Sequence, residues 1–130
     1  MVNLDRYAAA IGRLLLVALF FVSAIGKLTA PAATKAYIVA MGLPLPDLAF
    51  WVSILVELCG GALFLLGYQT RIVAAGLALY SIATALVFHH NFAEQNEMFH
   101  FLKDLAIAGG FLQAAAFGGG ACSLDARKAA

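Results

Sequence analysis

The sequence predicts an all-α fold: an integral membrane, antiparallel four-helix bundle with a short interfacial helix between the first and second spans. Two observations carry that prediction. Of the 130 residues, 64% are hydrophobic and only 12% charged, with a mean hydropathy of +0.94. A water-soluble domain has about a quarter of its residues charged, so this apolar surplus must face lipid. The apolar residues also fall into four runs, each near the ~20 residues that a helix rising ~1.5 Å per residue needs to cross a hydrocarbon core of ~30 Å.

The first span covers about residues 7–26 and is interrupted only by Arg13, whose guanidinium is expected to extend toward the headgroups. A signal peptide is the rival reading, because Arg6 and Arg13 precede an apolar run and Val22-Ser23-Ala24 suits a signal peptidase. Three further spans, and the Gly26-Lys27 that follows directly, favour a retained helix. Thr29 is then read as the cap of a short helix with Pro31 near its first position, ending before Gly42-Leu43-Pro44-Leu45-Pro46. Its Tyr37, Ile38 and Met41 sit at helical spacing while Lys35 can face water, the pattern of a helix lying on the membrane surface.

The second span, about 48–67, holds one charge, Glu57, at its middle, and Gly67 closes it as a C-terminal cap. Only Tyr68-Gln69-Thr70-Arg71 separates it from the uncharged third span, about 72–88, so the two form an antiparallel hairpin. The fourth apolar run is short. Its helix is therefore expected to begin near Glu97 and span about 98–120, with Lys103 and Asp104 in its first turns and Lys103 roughly 9 Å below its start. With no internal repeat, low-complexity tract or linker, residues 1–130 read as one domain.

Lys and Arg divide unequally in this arrangement. Arg6, Arg13, Arg71, Arg127 and Lys128 fall on one side, and Lys27, Lys35 and Lys103 on the other, together with Asp47, Glu94, Glu97 and Asp104. That bias predicts that both termini are cytoplasmic.

Several function classes lose support at once. A net charge of +1 without a basic, aromatic-interleaved stripe argues against nucleic acid. Cys59 and Cys122 form no C-x-x-C and read as ordinary small apolar residues. Walker, Rossmann and G-x-S-x-G patterns are absent, and Gly118-Gly119-Gly120 ends a helix instead of opening one after a strand.

What remains is a set of intramembrane polar residues. A carboxylate at mid-bilayer is costly and is normally paired, protonated or facing a cavity, so Glu57 needs a partner. Arg13 from one side and Lys27 or Lys103 from the other are all candidates. A buried pair that fixes helix packing and a working site are both consistent with that residue. His89, His90 and His100 gather at one membrane face. Adjacent histidines point about 100° apart on a helix, and the lone Glu97-x-x-His100 lacks the second such pair of a di-iron bundle, so hydrogen bonding at the interface is favoured over metal or haem. Gly60 and Gly61 in the second span, and Gly109 and Gly110 in the fourth, offer small faces for close helix packing. Their alternative role is a crevice beside Glu57 for a flat lipid-soluble ligand.

Taken in order, these residues resemble the DoxX family of small four-helix inner-membrane proteins. The resemblance covers most of the chain. It rests on Arg13 with its following Leu run, Gly26-Lys27-Leu28, Gly42-Leu43-Pro44, Glu57 before Gly60-Gly61, Thr70-Arg71, Phe88-His89, Asn91-Phe92, and Lys103 with Leu105-Ala106-Ile107-Ala108-Gly109-Gly110. The stretch from His89 to Asp125 is most similar to an enterobacterial inner-membrane subgroup, with H-x-N-F-A-E before the last helix and S-x-D after it. Asp104 departs from the Asn expected after the lysine of that helix, and could neutralise Lys103 locally. The resemblance implies a bacterial inner-membrane location. Because the family takes its name from a subunit of a thiosulfate:quinone oxidoreductase, it also implies a link to membrane redox complexes, with other redox subunits as partners and quinone as the ligand to test.

Three functional expectations follow. The first is a quinone-contacting or non-catalytic subunit of a redox complex. The second is a small-solute or proton-coupled transporter using Glu57 and Lys103, which as a narrow bundle would need to form a homo-oligomer. The third is an assembly factor whose polar residues only specify packing.

Overall fold

The computed structural model describes residues 4–89 and 93–129, the last two as backbone only. His90, Asn91 and Phe92, and the side chain of Lys128, therefore lie outside the described residues. All regular structure among the described residues is helical. It comprises α1 (Leu4–Thr29), α2 (Pro31–Ala40), α3 (Pro46–Leu55), a π-turn (Val56–Gly60), α4 (Gly61–Leu66), α5 (Thr70–Phe88), α6 (Gln95–Phe117) and α7 (Leu124–Ala129).

Among the described residues three helices are long and apolar enough to cross a membrane: α1, the continuous Pro46–Leu66 segment formed by α3, the π-turn and α4, and α5. The expected fourth, α6, has 23 residues. Its first half contains Glu97, His100, Lys103 and Asp104, which dilute its hydropathy, and it is not among those three. It begins at Gln95, before Glu97, so Lys103 lies ~12 Å along it by the rise per residue.

The principal core draws on α1 (Val17, Phe20), α4 (Phe64), α5 (Ala74, Leu77, Ala78) and α6 (Ala108, Phe111). Its aromatic rings interlock: Phe20 stacks on Phe111 at 5.6 Å, Phe111 meets Phe64 edge-on at 5.0 Å, and Phe20 meets Tyr80 edge-on at 5.8 Å. The outward faces are equally apolar, with Leu15, Val22, Ile72 and Leu79 largely exposed. A water-soluble protein would hide such residues, whereas hydrocarbon solvates them.

Glycine ends the second long helix as expected. Gly67 adopts φ +75°, its N–H bonds to the Phe64 carbonyl, and the Tyr68 N–H bonds to the Leu63 carbonyl. This closure satisfies carbonyls that would otherwise be stranded at the helix end. Thr29, by contrast, does not cap α2. It belongs to α1 and returns its hydroxyl to the Gly26 carbonyl, while Ala30 holds the cap position without a side-chain bond. Pro31 at the first position starts α2 unaided. This short helix buries Ile38 against Phe50 and Ile54 of α3. Lys35 is only partly solvated: it pairs with Asp47 at 3.0 Å and lies over the Phe50 ring.

The start of α1, the turn after α4 and the chain beyond α6 meet at one end of the molecule. There Asp125 accepts hydrogen bonds from the backbone N–H groups of Gln69 and Thr70, both at 2.7 Å. The other end gathers Lys27, α2, the start of α3, His89 and the start of α6.

A buried ion pair between two cavities

Glu57 sits in the π-turn of the second long helix and is 3% exposed. Such turns interrupt the regular ladder and occur often at functional sites. Of the three bases that the sequence allows as its partner, Lys27 is the one in contact, through Oε2. The Tyr80 hydroxyl donates to the same oxygen at 2.5 Å. Glu57 Oε1 is buried without a hydrogen-bond partner. Both charges are thus compensated, yet one carboxylate oxygen is left over, at a cost that hydrogen-bonded groups avoid.

Arg13 is turned inward and is 4% exposed, rather than reaching the headgroups. Its guanidinium donates to the carbonyls of Phe64, Leu65 and Cys122. A cation is favoured at the C-terminal end of α4, and three waiting carbonyls there outcompete a long reach to lipid phosphates. Arg13 is therefore far from Glu57 in role as well as in place. Lys103 makes no ion pair with Glu57 among the described residues and is exposed.

Asp104 does not neutralise Lys103 through an ion pair. It faces His89, whose Nε2 lies 3.8 Å from Asp104 Oδ2 and whose Nδ1 lies 3.3 Å from Glu97 Oε2. His89 also stacks on His100 with ring centres 5.0 Å apart. Among the described residues no three His, Cys, Asp or Glu side chains converge in a way that could hold a metal ion.

Two cavities flank Glu57. The larger, about 460 Å3, lies under α2 and is mostly apolar, with Ile38, Leu43, Val52 and Val87 in its walls and Ser53, Thr84 and Lys27 as polar points. Its volume suits a small-molecule site. Tyr37 stands at its rim, stacked on Phe88 at 5.6 Å. Desolvation of Tyr37, reinforced by the Glu97 carboxylate, pushes the phenol above its ordinary range, so the group remains a donor. The smaller cavity, about 250 Å3, shares Ser23, Glu57 and Tyr80 with the larger one and is walled by Ser81, His100, Lys103 and Asp104.

The four glycines do not form these spaces. A Cβ on Gly60 would come 3.0 Å from Leu77, one on Gly61 2.9 Å from Phe21, and one on Gly110 2.9 Å from Leu16. All three serve helix packing, while Gly109 faces open space. The crevice beside Glu57 exists, but serines, threonines and aliphatic side chains line it. Sequence reasoning missed Tyr80, Ser53 and Thr84. The available signal was spacing: Ser53 precedes Glu57 by one helical turn, and Thr84 follows Tyr80 by one.

A sequence model of the DoxX family matches residues 8–90, which takes in Arg13, Lys27, Glu57, Tyr80 and His89. The chain belongs to the DoxX family. It is 40% identical over 125 residues to Inner membrane protein YqjF of Escherichia coli (strain K12), covering 96% of this chain and 95% of that one. It is 34% identical over 122 residues to Inner membrane protein YphA of the same strain, covering 90% and 87% respectively. No solved structure matches the chain. With its apolar helices, the chain is thus a membrane protein of the DoxX family.

Proposed function

We propose that this DoxX protein is a multi-pass inner-membrane subunit or accessory of a quinone-linked redox complex, holding a lipid-soluble molecule of quinone type beside Glu57. The observation that carries the reading is the Glu57 carboxylate, buried and ion-paired in the wall of a cavity of about 460 Å3. An intramembrane carboxylate that serves packing alone needs no cavity beside it. Its paired base lowers the cost of keeping the charge there, and the apolar walls suit a ligand drawn from the bilayer.

The test is mass spectrometry of lipid-soluble molecules copurifying with the wild type and with Glu57→Gln in mild detergent, with an ultraviolet-visible spectrum of the same samples. A quinone retained by the wild type and lost from the variant supports the reading. Absence of any such molecule from both moves the weight to an assembly factor.

The topology that accompanies this reading has four spans and cytoplasmic termini. Support for α6 as the fourth span is its length and its two core residues, Ala108 and Phe111; the Lys and Arg bias supports the orientation. With Cys59 and Cys122 first replaced by alanine, a cysteine in place of Arg71 should then react with an impermeant maleimide only from the cytoplasmic face, and one in place of Lys35 only from the opposite face.

A further inference from the structure

We infer that the site beside Glu57 selects a neutral ligand that presents a hydroxyl hydrogen-bond donor, and so favours a hydroquinone or phenol over the corresponding quinone. The inference deepens the proposed function and rests on its reading of the cavity as a ligand site. Three observations lead to it. Glu57 is almost wholly buried, and its Oε1 lacks a hydrogen-bond partner. The Lys27 ammonium and the Tyr80 hydroxyl both donate to Oε2, and neither reaches Oε1. Glu57 forms part of the wall of both cavities, so the carboxylate that carries the unpartnered oxygen borders the space a ligand would fill.

An ionised carboxylate only accepts. Its complement is a donor, and a quinone, which offers two carbonyl acceptors, supplies none. A hydroquinone of the same shape supplies a hydroxyl. Charge narrows the class further: Lys27 already balances Glu57, so a cationic ligand would bring an uncompensated charge into apolar surroundings, at a large desolvation cost. A neutral hydroxyl on an apolar body meets both conditions. Ser53 and Thr84 return their hydroxyls to the Phe50 and Tyr80 carbonyls, so neither competes for the carboxylate.

Tetramethylhydroquinone and tetramethylbenzoquinone have the same carbon skeleton and differ in the donor, which makes them the probes. Equilibrium dialysis of the full-length protein in mild detergent under argon, with each probe separately, should give tighter binding of the hydroquinone by about tenfold, the worth of one hydrogen bond to a charged group. Glu57→Gln, whose amide can turn either a carbonyl or an NH2 toward the ligand, should erase that preference. Equal binding of the two probes by the wild type, or tighter binding of the quinone, overturns the inference while leaving the cavity as a ligand site. Failure of both to bind overturns the reading of the cavity itself, and the inference with it. The wild-type comparison decides the matter even where the variant does not fold.

Discussion

Lys27 and Glu57, 30 residues apart in the chain, form an ion pair in which the carboxylate is buried and the ammonium side chain keeps 21% of its surface exposed. The asymmetry sets what each substitution does. Lys27→Met strands a carboxylate in the interior, and loss of one member of a buried pair costs about 3–5 kcal/mol. Glu57→Gln should cost less, because the Lys27 ammonium is partly exposed and can turn toward the membrane surface. The double variant Lys27→Met/Glu57→Gln should be more stable than Lys27→Met alone. Thermal unfolding of the four proteins in one detergent gives the coupling. Additive losses would mean that the two side chains do not act as a pair.

Arg13 joins three parts of the chain that are remote in sequence: α1, the end of α4 at Phe64 and Leu65, and Cys122. A planar guanidinium can serve several carbonyls at once, and an ammonium is a point charge on a flexible stem. Arg13→Lys should therefore destabilise by about 1–3 kcal/mol, despite keeping the charge. Arg13→Met should exceed that, because it leaves buried carbonyls unpaired. Hydrogen exchange read by mass spectrometry should show faster exchange around residues 64–68 and 120–123 in both variants. Unchanged exchange there would remove Arg13 as the tie.

The three long apolar helices were legible because solvent sets them: an apolar run of sufficient length satisfies its own backbone in lipid as a helix. Gly67 and Pro31 marked their ends for local steric reasons that operate whatever the tertiary fold. The partner of Glu57 was legible only as a choice among Arg13, Lys27 and Lys103, since helix rotation decides it and sequence does not fix rotation. Arg13 was misread for a related reason: its acceptors lie on carbonyls 51 or more residues away. Tyr80 sat unnoticed in an apolar run, where an aromatic residue usually only packs. Its hydroxyl needed a partner once buried, and Glu57 was that partner.

The glycines separate into two classes that substitution can distinguish. Gly61→Val and Gly110→Val drive side-chain atoms into Phe21 and Leu16, where even a Cβ lies 2.9 Å away. Overpacking of this kind costs about 1–3 kcal/mol. Gly109→Ala meets nothing within 4 Å and should be neutral, or stabilising by up to about 1 kcal/mol through helix propensity. Melting temperatures in detergent read the contrast. A destabilising Gly109→Ala would show that this face packs against something other than lipid.

Asp125 caps α5 from the far end of the chain. Its two carboxylate oxygens take the N–H groups of Gln69 and Thr70, and its own N–H bonds to the Gly67 carbonyl at 2.9 Å. A carboxylate at a helix N-terminus both satisfies free donors and complements the helix dipole. Gln69 is held at φ +49°, a left-handed conformation uncommon for a residue with a side chain. Asp125→Ala should thus cost about 1–2 kcal/mol and release Gln69. Asp125→Asn, which keeps one acceptor oxygen, should cost less. Adding Gln69→Gly to Asp125→Ala removes the steric penalty at position 69 and should recover part of the loss. If Asp125→Ala leaves both the melting temperature and amide exchange at Gln69 and Thr70 unchanged, the carboxylate is not what holds the start of α5.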